Sequence, residues 1–335
     1  MSSTRTAVVT GGAGFIGSHM VDLLLARDYH VRVIDNLVGG RLDNLAHVNG
    51  DPRLDISIED LRNVPANSPL FAGADFVFHF AGIGDIVPSI ERPTEYMSAN
   101  VMGTVHALEA SRSAAVRKFV YAASSSCYGI ATELPTTESA PIRPEYPYAL
   151  SKYQGERAVL HWGQVYQLPV NSIRIFNAYG PRSKTTGAYG AVFGVFLAQK
   201  LKGKPLTVVG DGTQRRDFVF ATDLAHAFLA AAESDRTQQI YNVGAGCPQP
   251  VNRRVELLGG EVVHVPKRPG EPDCTWADIT KIRTELGWEP QVSFEAGVAE
   301  MLKRIDYWRE APVWDPASIE RATKTWFTML SGERV

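Results

Sequence analysis

The sequence predicts a doubly wound α/β fold, a parallel sheet with helices on both faces and a smaller lobe following it. Three observations carry this reading. Short apolar runs alternate with segments of helical period through the first half, the runs are apolar at successive positions, and the first ends in a glycine-rich turn. Phe76-Val77-Phe78-His79-Phe80-Ala81, Lys118-Phe119-Val120-Tyr121-Ala122-Ala123 and Val170-Asn171-Ser172-Ile173-Arg174-Ile175-Phe176 are such runs. Near-continuous apolarity is what a strand covered on both faces requires.

Taken in order, the first strand is read over Thr6–Thr10, followed by Thr10-Gly11-Gly12-Ala13-Gly14-Phe15-Ile16-Gly17 and a helix from about Gly14 to Ala26. Gly11 permits the tight turn, Gly14 lets the backbone approach a pyrophosphate, and Gly17 lets the helix pack closely on the strand; the free N–H groups of the helix start face the phosphates. This is the order a Rossmann-like dinucleotide site needs. The second strand, His30–Ile34, ends at Asp35, whose carboxylate would accept hydrogen bonds from an adenosine ribose and repel a 2′-phosphate. NAD is therefore expected rather than NADP. Helical periodicity marks Ala99–Ala115 and Pro147–Tyr166, and past Phe176 the pattern loosens into Gly- and Pro-rich segments such as Gly180-Pro181-Arg182, Gly210-Asp211-Gly212 and Arg268-Pro269-Gly270. The expected division is a cofactor domain of residues 1–176 and 217–244, with a second lobe of residues 177–216 and 245–335.

Composition sets bounds. A chain of 335 residues is long enough for two lobes, and a net charge of -2 gives no basic footprint for nucleic acid. No apolar run approaches the ~20 residues needed to span a bilayer, and the N-terminus leads directly into a strand, so no membrane partner and a cytoplasmic location are expected. Cys127, Cys247 and Cys274 are too few and too scattered for a disulfide framework or a zinc site, and no metal is expected.

Chemistry is suggested by Tyr148-Ala149-Leu150-Ser151-Lys152, which places a phenol and an ammonium four residues apart on one helix face. A nearby cation stabilises a phenolate, so Lys152 is expected to draw the Tyr148 pKa down and make it an acid/base group.

Several motifs occur together: Gly11 to Gly17, Asp35-Asn36-Leu37, His79-Phe80-Ala81-Gly82, Asn100-Val101-Met102-Gly103-Thr104, Ser124-Ser125-Ser126-Cys127-Tyr128-Gly129, Tyr148 with Lys152, Arg174 to Arg182, Arg215-Arg216-Asp217-Phe218 and Arg268-Pro269-Gly270-Glu271. In this order the chain resembles the extended short-chain dehydrogenase/reductase superfamily, in its NAD-dependent nucleotide-sugar epimerase/dehydratase branch, from the first strand to about Val298. The resemblance implies a catalytic Ser124 bridging substrate and Tyr148, and a Lys152 that also holds the nicotinamide ribose. It implies cofactor contacts from Gly11, Gly14, Phe15, Ile16, Gly17, Asp35 and Asn36, an acidic–aliphatic pair at Asp55 and Ile56 beside the adenine, a trough at Ala81 and Gly82, and a packing role for Asn100. Ser125 and Ser126 would border the sugar, Asn177 would contact the sugar diphosphate, and Arg216 and Arg268 would bind it from the second lobe. A homodimer through helices Ala99–Ala115 and Pro147–Tyr166 is implied as well.

The reaction subtype turns on Ser125 and Ser126. Related 4,6-dehydratases carry an Asp–Glu pair there and related decarboxylases a Glu; a hydroxyl of ordinary high pKa cannot serve as their proton shuttle. The resemblance then implies 4-epimerisation: Tyr148 and Ser124 take the 4-hydroxyl proton, hydride passes to NAD, and it returns to the opposite face of a 4-keto sugar. Thr275, in Cys274-Thr275-Trp276-Ala277-Asp278, is the implied gate for the hexose 2-substituent, and Asp85 stands where relatives often have a small neutral residue. Two alternatives remain, a nucleotide-sugar dehydratase or other sugar-modifying member of the superfamily, and a binding-only NAD protein. The stretch Ala311–Val335, with Trp314, Trp326 and Phe327, lies beyond the resemblance and is expected to be a packed terminal helix rather than part of a site.

Overall fold

A seven-stranded parallel sheet forms the centre of the molecule, seen in a computed structural model that describes residues 4–183 and 192–330. Its strands are β1 (Thr6–Thr10), β2 (His30–Asp35), β3 (Leu54–Ile58), β4 (Phe76–His79), β5 (Lys118–Ser124), β6 (Val170–Ile175) and a later strand, Gln239–Val243, in the spatial order Gln239–Val243, β6, β5, β4, β1, β2, β3. The order reverses between β1 and β4, and a crevice opens there at the carboxyl ends of the strands. The helices on its faces are α1 (Phe15–Ala26), α2 (Ile86–Glu91), α3 (Pro93–Met97), α4 (Gly103–Ser113) and α5 (Pro147–Tyr166). β4 and β6 are buried at every position, as their unbroken apolar runs require.

Local chemistry accounts for the element ends. Gly11 turns the chain at φ +69, and a Cβ there would lie 2.7 Å from the Ala81 backbone nitrogen; one on Gly17 would lie 2.2 Å from the Gly11 carbonyl. α5 begins with Pro147 in its first turn and ends at Gln167 in the left-handed conformation. The helix expected over Ala99–Ala115 is broken: Ser98–Met102 forms a π-turn between α3 and α4. The cause is Asn100, whose side chain turns inward to accept from Ile83 N at 2.8 Å and donate to Ile83 O at 3.0 Å and Ser151 Oγ at 2.9 Å. Its inward amide and the widened turn go together.

The second lobe is assembled from β7 (Asn177–Tyr179), α6 (Val192–Leu201), β8 (Leu206–Val209), β9 (Arg215–Arg216), β10 (Phe218–Phe220), α7 (Ala221–Glu233), the sheet strand β11 (Gln239–Val243), β12 (Gln249–Pro250), α8 (Val251–Leu258), β13 (Val262–Val265), α9 (Thr280–Leu286), α10 (Phe294–Lys303) and α11 (Pro316–Leu330). Of these, α7 and β11 return to the central sheet, where α7 packs on α1. α9 also packs on β11, with Ile282 in the central cluster, while β7, α6, β8, β10, α8, α10 and α11 contribute to a separate apolar cluster that includes Tyr179, Phe196, Phe218, Met301 and Trp308. α11 leaves this cluster to pack on α2, with Thr325 Oγ1 and Glu91 Oε1 3.1 Å apart. Among the described residues, no helix is long and apolar enough to cross a membrane.

Candidate active site

A cleft of about 900 Å³ runs along the carboxyl ends of the strands and continues between the sheet and the second lobe. One end is the glycine turn: Gly11, Gly14, Phe15, Ile16 and Gly17 line it, with Asp35 and Asn36 from the end of β2 and Ala81 and Gly82 after β4. Gly11, Gly14 and Gly82 let the wall pack this closely: a Cβ on Gly11 would meet the Ala81 backbone, one on Gly14 the Gly11 carbonyl, and one on Gly82 Asn100 Oδ1 at 2.7 Å. These residues fit a dinucleotide, with backbone N–H groups at the start of α1 for its phosphates. The Asp35 carboxylate accepts from Ala13 N at 3.0 Å and Leu37 N at 2.8 Å, and burial raises its pKa.

Two expected cofactor residues are placed elsewhere. Asp55 and Ile56 lie within β3, opposite Arg32 and Val33 of β2, and outside the cleft. Past the end of β3 the cleft is lined instead by Glu59, Asp60 and Leu61; Asp60 accepts from Asn36 Nδ2 at 3.1 Å and is held low by Arg62. The acid–aliphatic pattern was visible twice in this stretch, and the copy that follows the strand is the one reaching the cleft. Asn100 is fully buried behind the wall, where it holds the Ile83 backbone rather than facing the cleft.

At the centre of the cleft, β5 delivers Ser124, and the first turns of α5 deliver Tyr148 and Lys152. Ser124 Oγ lies 2.8 Å from Ser126 Oγ, and the Ser124 hydroxyl stands near enough to the Tyr148 phenol to influence its pKa. The Tyr148 ring stacks on Tyr146 at 6.3 Å and meets Tyr96 edge-on at 6.5 Å. Lys152 places its Nζ 4.4 Å from the Tyr121 ring centre. The expected lowering of Tyr148 by Lys152 is not what governs the pair. Burial pushes the phenol up, the Ser124 hydroxyl draws it down, and Asp85 pushes it up. Burial also acts on Lys152, bringing it down to about 7. Both groups are thus biased toward neutrality, and a charge arriving between them would be felt strongly in so dry a site.

The far end belongs to the second lobe. Ser125, Ser126, Asn177, Arg216, Arg268, Thr275 and Asp85 all line the cleft. Thr275 donates from Oγ1 to Asn177 Oδ1 at 2.7 Å, which fixes the amide. Arg216 donates to Glu271 at 2.7 Å, and Arg268 lies 3.8 Å from the same carboxylate, so the two guanidiniums are held side by side. Asp85 occupies the cap position of α2 and bears on both Tyr96 and Tyr148. Tyr96, Tyr146 and Trp326 also line the cleft and were not expected. Tyr146 stands two residues before Tyr148, but Trp326 comes from the C-terminal stretch read as packing only; no local motif marks it. The stretch does fold as a helix, α11, and its last residues, 331–335, lie outside the described residues. Among the described residues no cluster of His, Cys, Asp and Glu could hold a metal ion.

Known proteins are similar to this chain over most of its length. The family model described as the NAD dependent epimerase/dehydratase family matches residues 7–244. The UDP-glucose 4-epimerase of Mycolicibacterium smegmatis is 34% identical over 314 residues, covering 90% of this chain and 98% of the relative. The dTDP-glucose 4,6-dehydratase of an Actinoplanes species is 30% identical over 308 residues, covering 88% and 95%. The solved UDP-N-acetylglucosamine 4-epimerase of Methanobrevibacter ruminantium, in complex with UDP-N-acetylmuramic acid, superposes with a TM-score of 0.85 at 32% identity, covering 90% of this chain and 98% of that one. With the glycine cradle, the Ser–Tyr–Lys centre and this match over most of its length, the chain belongs to the NAD-dependent nucleotide-sugar epimerase/dehydratase family.

Proposed function

We propose that the protein is a 4-epimerase of a nucleotide-activated hexose. The observation that carries the reading is the row Ser124, Ser125, Ser126 at the end of β5: the wall beside Tyr148 offers hydroxyls where elimination of water needs a carboxylic acid and a base. Tyr148 takes the proton of the sugar 4-hydroxyl directly or through the neighbouring Ser124 hydroxyl, both of which line the cleft. Lys152, buried beside Tyr121, orients the nicotinamide ribose and supplies positive charge when protonated. When bound, NAD would supply the hydride acceptor and donor for carbon 4. Inversion requires the hexose to present either face, so the grip must lie on the diphosphate. Arg216 and Arg268, held side by side by Glu271, have the fork geometry for phosphate oxygens. Thr275 occupies the gate position with a short side chain already bonded to Asn177, which leaves room for a 2-acetamido group as well as a 2-hydroxyl.

A second reading, a 4,6-dehydratase, is favoured by Asp85, a carboxylate near Tyr148 where elimination needs both an acid and a base, and by the likeness to the Actinoplanes dTDP-glucose 4,6-dehydratase. The exposed Met102 beside α4, with Val165 and Tyr166 on α5, supports a homodimer through these helices, and use of NAD and nucleotide sugars suits the cytoplasm. Incubation with UDP-, dTDP-, GDP- and CDP-linked glucose and UDP-N-acetylglucosamine tests the function. A product of unchanged mass and altered chromatographic mobility is expected; a product lighter by one water would establish the dehydratase instead.

A further inference from the structure

Helix α11 supplies one wall of the cleft although it lies beyond the segment that the family model matches. Its residue Trp326 is 5% exposed yet lines the same space as Tyr148 and Ser126. The indole is fixed on three sides. Its Nε1 donates to the Pro269 carbonyl at 2.7 Å, the Arg268 guanidinium lies 5.5 Å from its ring centre, and the Tyr146 ring lies 6.3 Å away. Tyr146 in turn stacks on Tyr148. Trp326 thus joins Arg268 to Tyr146, whose ring stacks on Tyr148, and so lines the side of the cleft between the arginine end and the Tyr148 end, along which a hexose on a diphosphate would lie.

The helix carrying it is tied to both sides of the cleft. Toward the second lobe the tie is the Trp326–Pro269 bond; toward the sheet it is the packing of α11 on α2, with Thr325 beside Glu91. α2 begins at Asp85, the carboxylate on the opposite wall. Because little of the indole is left exposed, its pose is set before a ligand arrives, and a preformed aromatic wall costs no ordering on binding. An aromatic surface next to fixed polar groups is the pairing that sugar rings, apolar on their C–H faces and polar at their edges, can use.

We infer that Trp326 is a substrate-contact residue forming the wall against the hexose ring, and that α11 is a strap joining the two lobes across the nucleotide-sugar site. This rests on the nucleotide-sugar reading above. Trp326 contributes more to affinity for the sugar than to that for the nucleotide diphosphate alone, and NAD, bound at the glycine end, does not sense it.

The test is calorimetric, on the full chain loaded with NAD. Wild type, Trp326→Phe and Trp326→Ala are titrated with the best-bound nucleotide of UDP, dTDP, GDP and CDP, and with its glucose-linked form. Trp326→Ala should bind the glucose-linked form on the order of tenfold more weakly, a loss typical of a truncated aromatic anchor. Its affinity for NAD should stay within about twofold of wild type, and its loss for the nucleotide diphosphate, transmitted through the neighbouring Arg268, should be clearly smaller than its loss for the glucose-linked form. Trp326→Phe keeps a ring in place and should fall between the two; it decides the matter if the alanine variant does not fold. Equal affinity of both folded variants for the sugar form, or an equal loss for sugar and diphosphate, would overturn the inference. Absence of binding of every pair by wild type would overturn the nucleotide-sugar reading itself, and this inference with it.

Discussion

At the scale of single residues, the chemistry rests on a phenol that burial pushes up and a lysine that burial brings down to about 7. Replacing Tyr148 with phenylalanine removes one proton carrier while keeping the ring against Tyr146 and Tyr96. Turnover should fall by roughly 10²–10⁴-fold with nucleotide-sugar affinity nearly unchanged, measured by initial rates beside calorimetry. Asp35 makes a second prediction. Its carboxylate is anchored by Ala13 N and Leu37 N, so it stands at a fixed place at the glycine end of the cleft. Asp35→Ser should shift the ratio of NADP to NAD affinity toward NADP by about tenfold, and an unchanged ratio would remove Asp35 from cofactor choice. The residues on local motifs were legible in the sequence: the glycines, Ser124, Tyr148, Lys152 and the two arginines all reach one cleft. Asp55 and Ile56 were misplaced because an acid–aliphatic pair occurs both within β3 and just after it, and only strand length decides which pair emerges at the carboxyl edge.

At the scale of elements, periodicity located most of the sheet and the whole of α5, whose observed limits Pro147–Tyr166 are the predicted ones. It did not show the π-turn at Ser98–Met102, because the cause is a long-range bond between Asn100 and the Ile83 backbone. Nor did it place α11 against α2, since that contact joins residues more than two hundred positions apart and leaves no mark in either segment. Helices α4 and α5 carry a prediction of their own. Met102, Val165 and Tyr166 are exposed apolar groups at these helices, and a second copy is the simplest cover for them. Light scattering at micromolar concentration should give twice the mass of 36.7 kDa, and Val165→Lys with Tyr166→Lys should shift it toward the monomer.

At the scale of the whole molecule, the sheet is locked by polar groups held neutral under the site. His79 in β4 is fully buried between Thr10 Oγ1 at 2.7 Å and Thr104 Oγ1 at 2.9 Å, and burial brings its pKa from 6.5 to about 3. The unfolded chain takes up this proton below about pH 6.5 while the folded one does not, so stability is lost as pH falls through that value. Between pH 7 and pH 5 the contribution is about 2 kcal/mol, and the fall in the urea midpoint should be smaller in His79→Gln than in wild type. An equal fall in both would mean that His79 does not couple folding to protons. The two lobes, the glycine cradle and the paired arginines Arg216 and Arg268 suit the proposed reaction, in which a hydride leaves carbon 4 of the hexose and returns to the same carbon. The direct measurement uses a nucleotide hexose carrying deuterium at carbon 4, with the product analysed by mass spectrometry and NMR. Epimerisation predicts a 4-epimer of unchanged mass with deuterium retained at carbon 4 and no net NADH formed; deuterium found at carbon 6 of a product lighter by one water would contradict it.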